Sequence, residues 1–198
     1  ITRKEMTRML LKEGLLSWLA NNSFESVTVT SLCKASGITR STFYLHYSNI
    51  MEIVDDLVDD AIAYSKPGMV DNNNLQTIAN TLSAASNSVS LREAYDSIFD
   101  RLPLCQRIIR HKKYLPLFLD EQISEYVLQR IIGREKDRQG LVIAESLGIS
   151  FDVGVSVFVF LVHGLYAVNK QYKWSQSDEW LEAQKIIFEL VYRGLQRR

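Results

Sequence analysis

Arg40, Ser41, Thr42, Tyr44 and His46 place five hydrogen-bonding side chains within seven positions, and Thr28, Thr30 and Thr39 stand a short way upstream. The chemistry on offer is non-covalent recognition. An arginine can give two parallel bonds to a guanine edge, so Arg40, with Thr42, is expected at base edges or the adjacent phosphates. Tyr44 can pack on a thymine methyl or donate its hydroxyl to phosphate. His46, close to a helix end, and Thr28 and Thr30, at the start of the preceding helix, are better placed for phosphate. Thr39 and Ser41 complete the outer surface. For Tyr44 and His46 the competing role is packing of the helix ends.

Two short helices and a tight turn must position these groups. Thr28 can cap the first helix by accepting a bond from a free amide in its first turn. Val29 and Leu32, three apart, share one face with Cys33 at its edge. Gly37 follows Ser36 where the chain must turn sharply, and glycine takes a positive φ there without steric cost. Ile38 returns toward the core and Thr39 caps the second helix. Phe43 and Tyr47, four apart, face inward and leave the polar set outside. This is the layout of a helix-turn-helix, whose second helix enters the DNA major groove.

The run Gly37-Ile38-Thr39, then Ser41-Thr42-Phe43-Tyr44, then His46-Tyr47, resembles the DNA-binding domain of TetR-type transcriptional regulators. Leu11, Leu15, Leu19 and Phe24 fall where that family's first helix and following turn place apolar residues. The close match covers about residues 7–54. The resemblance implies an all-α chain: a three-helix DNA-binding domain over 1–48, and a larger helical regulatory and dimerisation domain over 49–198. It departs from the pattern at Ile50, where the family usually carries a lysine that grips phosphate. Non-specific affinity and its salt dependence are expected to be lower for that reason.

Composition suits a globular helical protein. The chain has 198 residues, 46% hydrophobic and 23% charged, with three prolines and nine glycines. The formal charge is zero, but residues 1–47 hold six basic side chains against three acidic ones, whereas 52–60 carry Glu52, Asp55, Asp56, Asp59 and Asp60 with no base. The positive excess therefore lies at the amino end. Asp55-Asp56 and Asp59-Asp60 form a carboxylate stripe that could hold a divalent cation, and a solvated helix face is the simpler expectation. Cys33 and Cys105 suggest reduced thiols and a cytoplasmic location rather than a disulfide framework. No signal peptide is visible. Residues 149–168 are apolar enough to raise a membrane span, but Asp152 and His163 interrupt them, and a buried helix is expected.

The pattern predicts helices near 3–21, 28–35, 39–46, 49–65, 73–88, 91–111, 114–138, 150–171 and 177–196. Pro67-Gly68 and residues 71–74 break the chain, and Pro103 shortens or kinks the sixth helix. Gly133, Gly140 and Gly148 are expected to loosen the stretch before the long apolar helix. Phe151, Val155, Phe158, Val159, Val162 and Tyr166 form one stripe, and Trp180, Ile187, Val191 and Leu195 another. By the resemblance, these last two helices pair with a second copy. Such a homodimer would meet a near-palindromic operator with half-sites about 34–36 Å apart. His111, Tyr114, Tyr126, His163 and Tyr166 are polar groups that an effector pocket could use, and no effector residue is singled out. A metal site from Cys105, His111 and His163 has no recognised spacing. There is no phosphate loop, zinc-protease motif or nucleophile elbow, so no enzyme is expected. The expected function is a ligand-responsive, sequence-specific DNA-binding regulator, more often repressor than activator, with an unidentified small-molecule effector and no cofactor. The alternative is a TetR-fold co-regulator whose weak DNA-reading head leaves it to act through another protein.

Overall fold

The computed structural model describes residues 2–65, 74–85, 90–102, 106–107 and 112–195, and every regular element among them is helical. In chain order these are α1 (Arg3–Leu19), α2 (Val29–Ser36), α3 (Arg40–Tyr44), α4 (Ile50–Ser65), α5 (Asn74–Ser83), α6 (Leu91–Ser97), α7 (Leu115–Leu119), α8 (Ser124–Leu147), α9 (Phe151–Gln171) and α10 (Asp178–Leu195). Single 3-10 turns lie at Phe24–Ser26 and Phe99–Arg101. The chain divides into two compact units: Ile1–Tyr64 with Ile108–Gly133, and Ser65–Arg107 with Arg134–Arg198. Compactness thus groups α4 with the amino-terminal helices, whereas the sequence reading began a regulatory domain at residue 49.

In the first unit, α1 starts at a reciprocal cap. The Thr2 hydroxyl accepts the Glu5 amide at 3.2 Å, and the Glu5 carboxylate accepts the Thr2 amide at 2.7 Å. Leu11, Leu15, Leu32, Phe43, Ile53, Val54, Leu57 and Leu117 are removed from solvent. Each such side chain stabilises the fold by about 1.5–3 kcal/mol before entropy is counted. The helix expected over 114–138 is broken at Asp120. That carboxylate accepts the Gln122 and Ile123 amides at 2.9 and 3.2 Å through Oδ1, and the Phe24 amide at 2.7 Å through Oδ2. Its backbone is extended, so α7 ends there and α8 starts afresh.

The second unit is built around Ile78, Leu82, Tyr95, Ile98, Leu165, Trp180, Leu181 and Phe188. The helix expected over 91–111 stops at Ser97. The Ser97 hydroxyl turns back to the Ala94 carbonyl at 2.7 Å, and Leu102, which precedes Pro103, is extended as the proline ring demands. Pro67, Gly68, residues 71–73, Pro103, Cys105 and His111 lie outside the described residues. Gly133 and Gly140 do not loosen the chain: α8 runs through both and ends at Gly148, whose φ is +62°. Gly140 and Gly154 instead permit close helix contact. A Cβ on Gly154 would stand 2.3 Å from the Gly140 carbonyl oxygen, and one on Gly140 2.9 Å from the Val155 Cα.

The link from α9 to α10 holds two consecutive left-handed residues, Lys173 (φ 50°) and Trp174 (φ 58°). Burial of the Trp174 indole, edge-on to Tyr166 at 5.5 Å, offsets that strain. α9 is long and apolar enough to cross a membrane by length and composition, with 22% of its most apolar stretch buried. Of its expected stripe, Val162 and Tyr166 are buried, Val155, Phe158 and Val159 are half-buried and Phe151 is exposed.

Candidate nucleic-acid interface

The turn between α2 and α3 is made by local chemistry. The Thr28 hydroxyl accepts the Ser31 amide at 3.0 Å, and the Ser31 hydroxyl accepts the Thr28 amide at 2.9 Å. At the other end Gly37 is left-handed (φ 66°, ψ 27°), and the Ile38 amide returns to the Cys33 carbonyl at 2.9 Å. A Cβ on Gly37 would touch nothing within 4 Å, so the demand for glycine is purely one of backbone angle. Burial raises the Cys33 thiol above its ordinary pKa.

Thr39 caps α3, accepting the Thr42 amide at 3.2 Å. Its hydroxyl also bonds the Ser41 hydroxyl at 3.0 Å and the Thr42 hydroxyl at 2.8 Å. Phe43 and Tyr47 are buried, as the spacing required. Thr28, Thr30, Thr39, Arg40, Ser41 and Tyr44 are exposed, and Thr42 and His46 are half-buried. His46 Nδ1 is inaccessible and has no hydrogen-bond partner among the described residues. The structure therefore brings the eight candidate residues onto one short segment, with Thr28, Thr39 and Thr42 already engaged in caps.

What the sequence reading missed is the anchor behind this segment. The Tyr47 hydroxyl donates to Asp56 Oδ2 on α4 at 2.6 Å, and Arg8 of α1 donates to the same oxygen through Nε at 3.1 Å and through Nη2. Lys12 pairs with Asp60 one turn along. On α4's other carboxylate row, Tyr126 donates to Asp55 at 2.6 Å, and Arg130 lies 3.1 Å from Asp55 and 3.6 Å from Asp59. The carboxylates expected to face solvent are thus answered from α1, from Tyr47 just after α3, and from α8. Matching i,i+4 steps carried the signal: 8 and 12 against 56 and 60, and 126 and 130 against 55 and 59.

Burial pushes the Asp56 carboxyl up, but the Tyr47 hydroxyl and the Arg8 guanidinium together outweigh it and hold the group below the usual range. The Tyr47 phenol is raised far above its ordinary value by burial and then by Asp56. The bond to Asp56 also raises Arg8. Arg8 and Lys12 are therefore committed inside the unit, and the exposed cations of residues 1–47 are Arg3, Lys4, Lys34 and Arg40. Ile50 opens α4 half-buried. Around it the Ser48 amide donates to Glu52 Oε2 at 2.8 Å, and the Glu52 amide to Asn49 Oδ1 at 3.1 Å.

Among the effector candidates, Tyr114 is buried and raised by desolvation, while Tyr126 is tied to Asp55. In the second unit a groove of about 420 Å³ is lined by Asn80, Thr81, Ala84, Ala85, Glu93, Ala94 and Ser97. His163 and Tyr166 do not line it. Among the described residues no three metal-binding side chains converge. No protein-family model matches the chain, and no curated protein or solved structure matches it significantly.

Proposed function

We propose that the chain is a sequence-specific DNA-binding transcriptional regulator of TetR type, with α2 and α3 as its helix-turn-helix. The observation that carries this reading is the α2–α3 pair itself. A left-handed glycine, a threonine cap and two buried aromatics hold a five-residue helix whose outer side presents Arg40, Ser41 and Tyr44. A recognition helix needs that combination of a fixed back and a polar front open to solvent.

The active form in this proposal is a homodimer through α9 and α10. Phe160 and Leu190 are 73% and 67% exposed, and Phe151, Val153 and Ile186 are also exposed. A second copy burying them would bring two recognition helices to a near-palindromic operator. A small effector that prefers the DNA-incompetent form would release the operator by its differential affinity, so repression is the favoured direction. This reading implies a cytoplasmic protein without catalysis.

A second reading, a co-regulator with a weak DNA head, is favoured by one set of observations. Arg8 and Lys12 are spent on α4, Ile50 stands at the family's lysine position, and Glu52 adds negative charge there. Selection from a pool of random-core duplexes, followed by affinity measurement against salt, separates the two. The regulator predicts an enriched inverted repeat and affinity that falls with salt at a slope set by the few phosphates it neutralises. Duplex binding with no preferred sequence at any salt would overturn it.

A further inference from the structure

We infer that Leu45 is a specificity-determining residue that reads the 5-methyl group of a thymine in the major groove. This rests on the proposed DNA-binding role of α3. Leu45 closes α3 at its C-cap and is 81% exposed, more than any other large apolar side chain among the described residues. Tyr44, beside it, is 53% exposed. One exposed leucine on a surface needs no explanation. Its neighbours give this one meaning.

The hydroxyls of Thr39, Ser41 and Thr42 are pooled in one cap network, with distances of 3.0 and 2.8 Å, and Thr39 also holds the Thr42 amide. Turning Thr39 to a base edge would cost the cap, and turning Ser41 or Thr42 would cost its bond to Thr39. Phe43 and Tyr47 are buried on the other side, and His46 is half-buried. Among the described residues of α3, Arg40 and the Tyr44 hydroxyl are then the hydrogen-bonding groups left available, and Leu45 is the aliphatic side chain presented beside them. In the major groove thymine alone of the four bases offers a methyl group, so an aliphatic side chain there discriminates by touching it. Reach is not limiting. Five residues at 1.5 Å each make α3 about 7.5 Å long, shorter than the roughly 12 Å width of the groove, so its length allows the C-cap to lie between the groove walls. Two side chains also make too small a patch for a stable protein partner, which needs about 800 Å² from each side.

The test uses the full chain and its Leu45→Ala variant, each selected on the same random-core duplex pool. Each thymine of the best wild-type duplex is then replaced singly by deoxyuridine, which removes only the methyl. One thymine per half-site should lose about fourfold in wild-type affinity, the worth of one buried methylene-sized group. Leu45→Ala should be indifferent to that replacement and should select a relaxed base there. Its circular dichroism and melting temperature should match wild type, because the leucine buries little in the fold. A wild-type chain that tolerates every deoxyuridine within experimental error, or a variant that keeps the same fourfold penalty, overturns the assignment while leaving the regulator reading intact. Failure of both proteins to select any sequence overturns the two together.

Discussion

In the first unit the side chains that bridge helices are mostly charged and partly solvated, whereas the core of the second is bridged by neutral, buried ones, with charged contacts such as Arg92–Asp178 and Ser83–Glu189 kept to its exposed surface. Asp56 takes Arg8 and Tyr47, and Asp60 takes Lys12, in positions that water still reaches. In the second unit the Tyr95 hydroxyl donates to Gln106, Gln106 donates to Gln184 at 2.5 Å, and the Trp180 indole donates to Asn169 at 2.8 Å. Gln106, Asn169 and Gln184 are buried beside Tyr95 and Trp180, whose rings meet edge-on at 5.2 Å. Charged bridges at partial exposure are adjustable by pH and salt. Buried amides respond to neither, and their value lies in fixing one packing of the core.

Three substitutions bear on that contrast. Trp180→Ala should cost the most, about 3–5 kcal/mol in urea unfolding, since it empties a core site and strands the Asn169 carbonyl. The cost should be the same at pH 5 and pH 8. A loss that changes with pH over that range would break the contrast.

Asp56→Asn should cost about 1–2 kcal/mol at pH 7. The Asp56 carboxyl is held below its unfolded value of about 3.9, so its contribution is complete above that pH and is lost as pH falls through the lowered folded value. Wild type and variant should therefore converge in acid, measured by melting temperature from pH 7 to pH 2. A gap that persists at pH 2 would move the effect from charge to packing. The same variant weakens the hold on Tyr47, so under the proposed DNA-binding role duplex affinity should fall more steeply than stability.

Lys113→Ala should matter least. Lys113 and Glu13 pair at 2.5 Å with both side chains about half exposed, and such pairs contribute at most about 1 kcal/mol. That remainder should vanish in 1 M salt. A larger cost that salt leaves intact would show that exposed pairs in this unit are more than screened surface charge.

Much of the local architecture was legible in the residues. Thr28, Thr39 and Gly37 act within four positions of themselves, through caps and a left-handed angle, so their roles need no knowledge of the rest of the chain. The inward placement of Phe43 and Tyr47 followed from a four-residue step for the same reason. The boundaries that failed were those set by distant or competing partners. Asp120 breaks the helix expected over 114–138 partly by binding an amide almost a hundred residues away, at Phe24. Gly140 read as a loose point until it proved to be where Gly154 of the next helix approaches.

The sequence by itself determined an all-helical chain, the short α2–α3 pair and the set of side chains on its outer surface, because periodicity, caps and turn angles are local properties. Tertiary structure alone decided which charges remained available for anything else. Arg8 and Asp56 are 48 positions apart, and the energy that joins them depends on a distance and a degree of burial that no spacing along the chain encodes. With Lys12–Asp60, that pairing engages two cations within the unit and anchors Tyr47 just behind α3. It leaves Arg40 and an exposed leucine at its front.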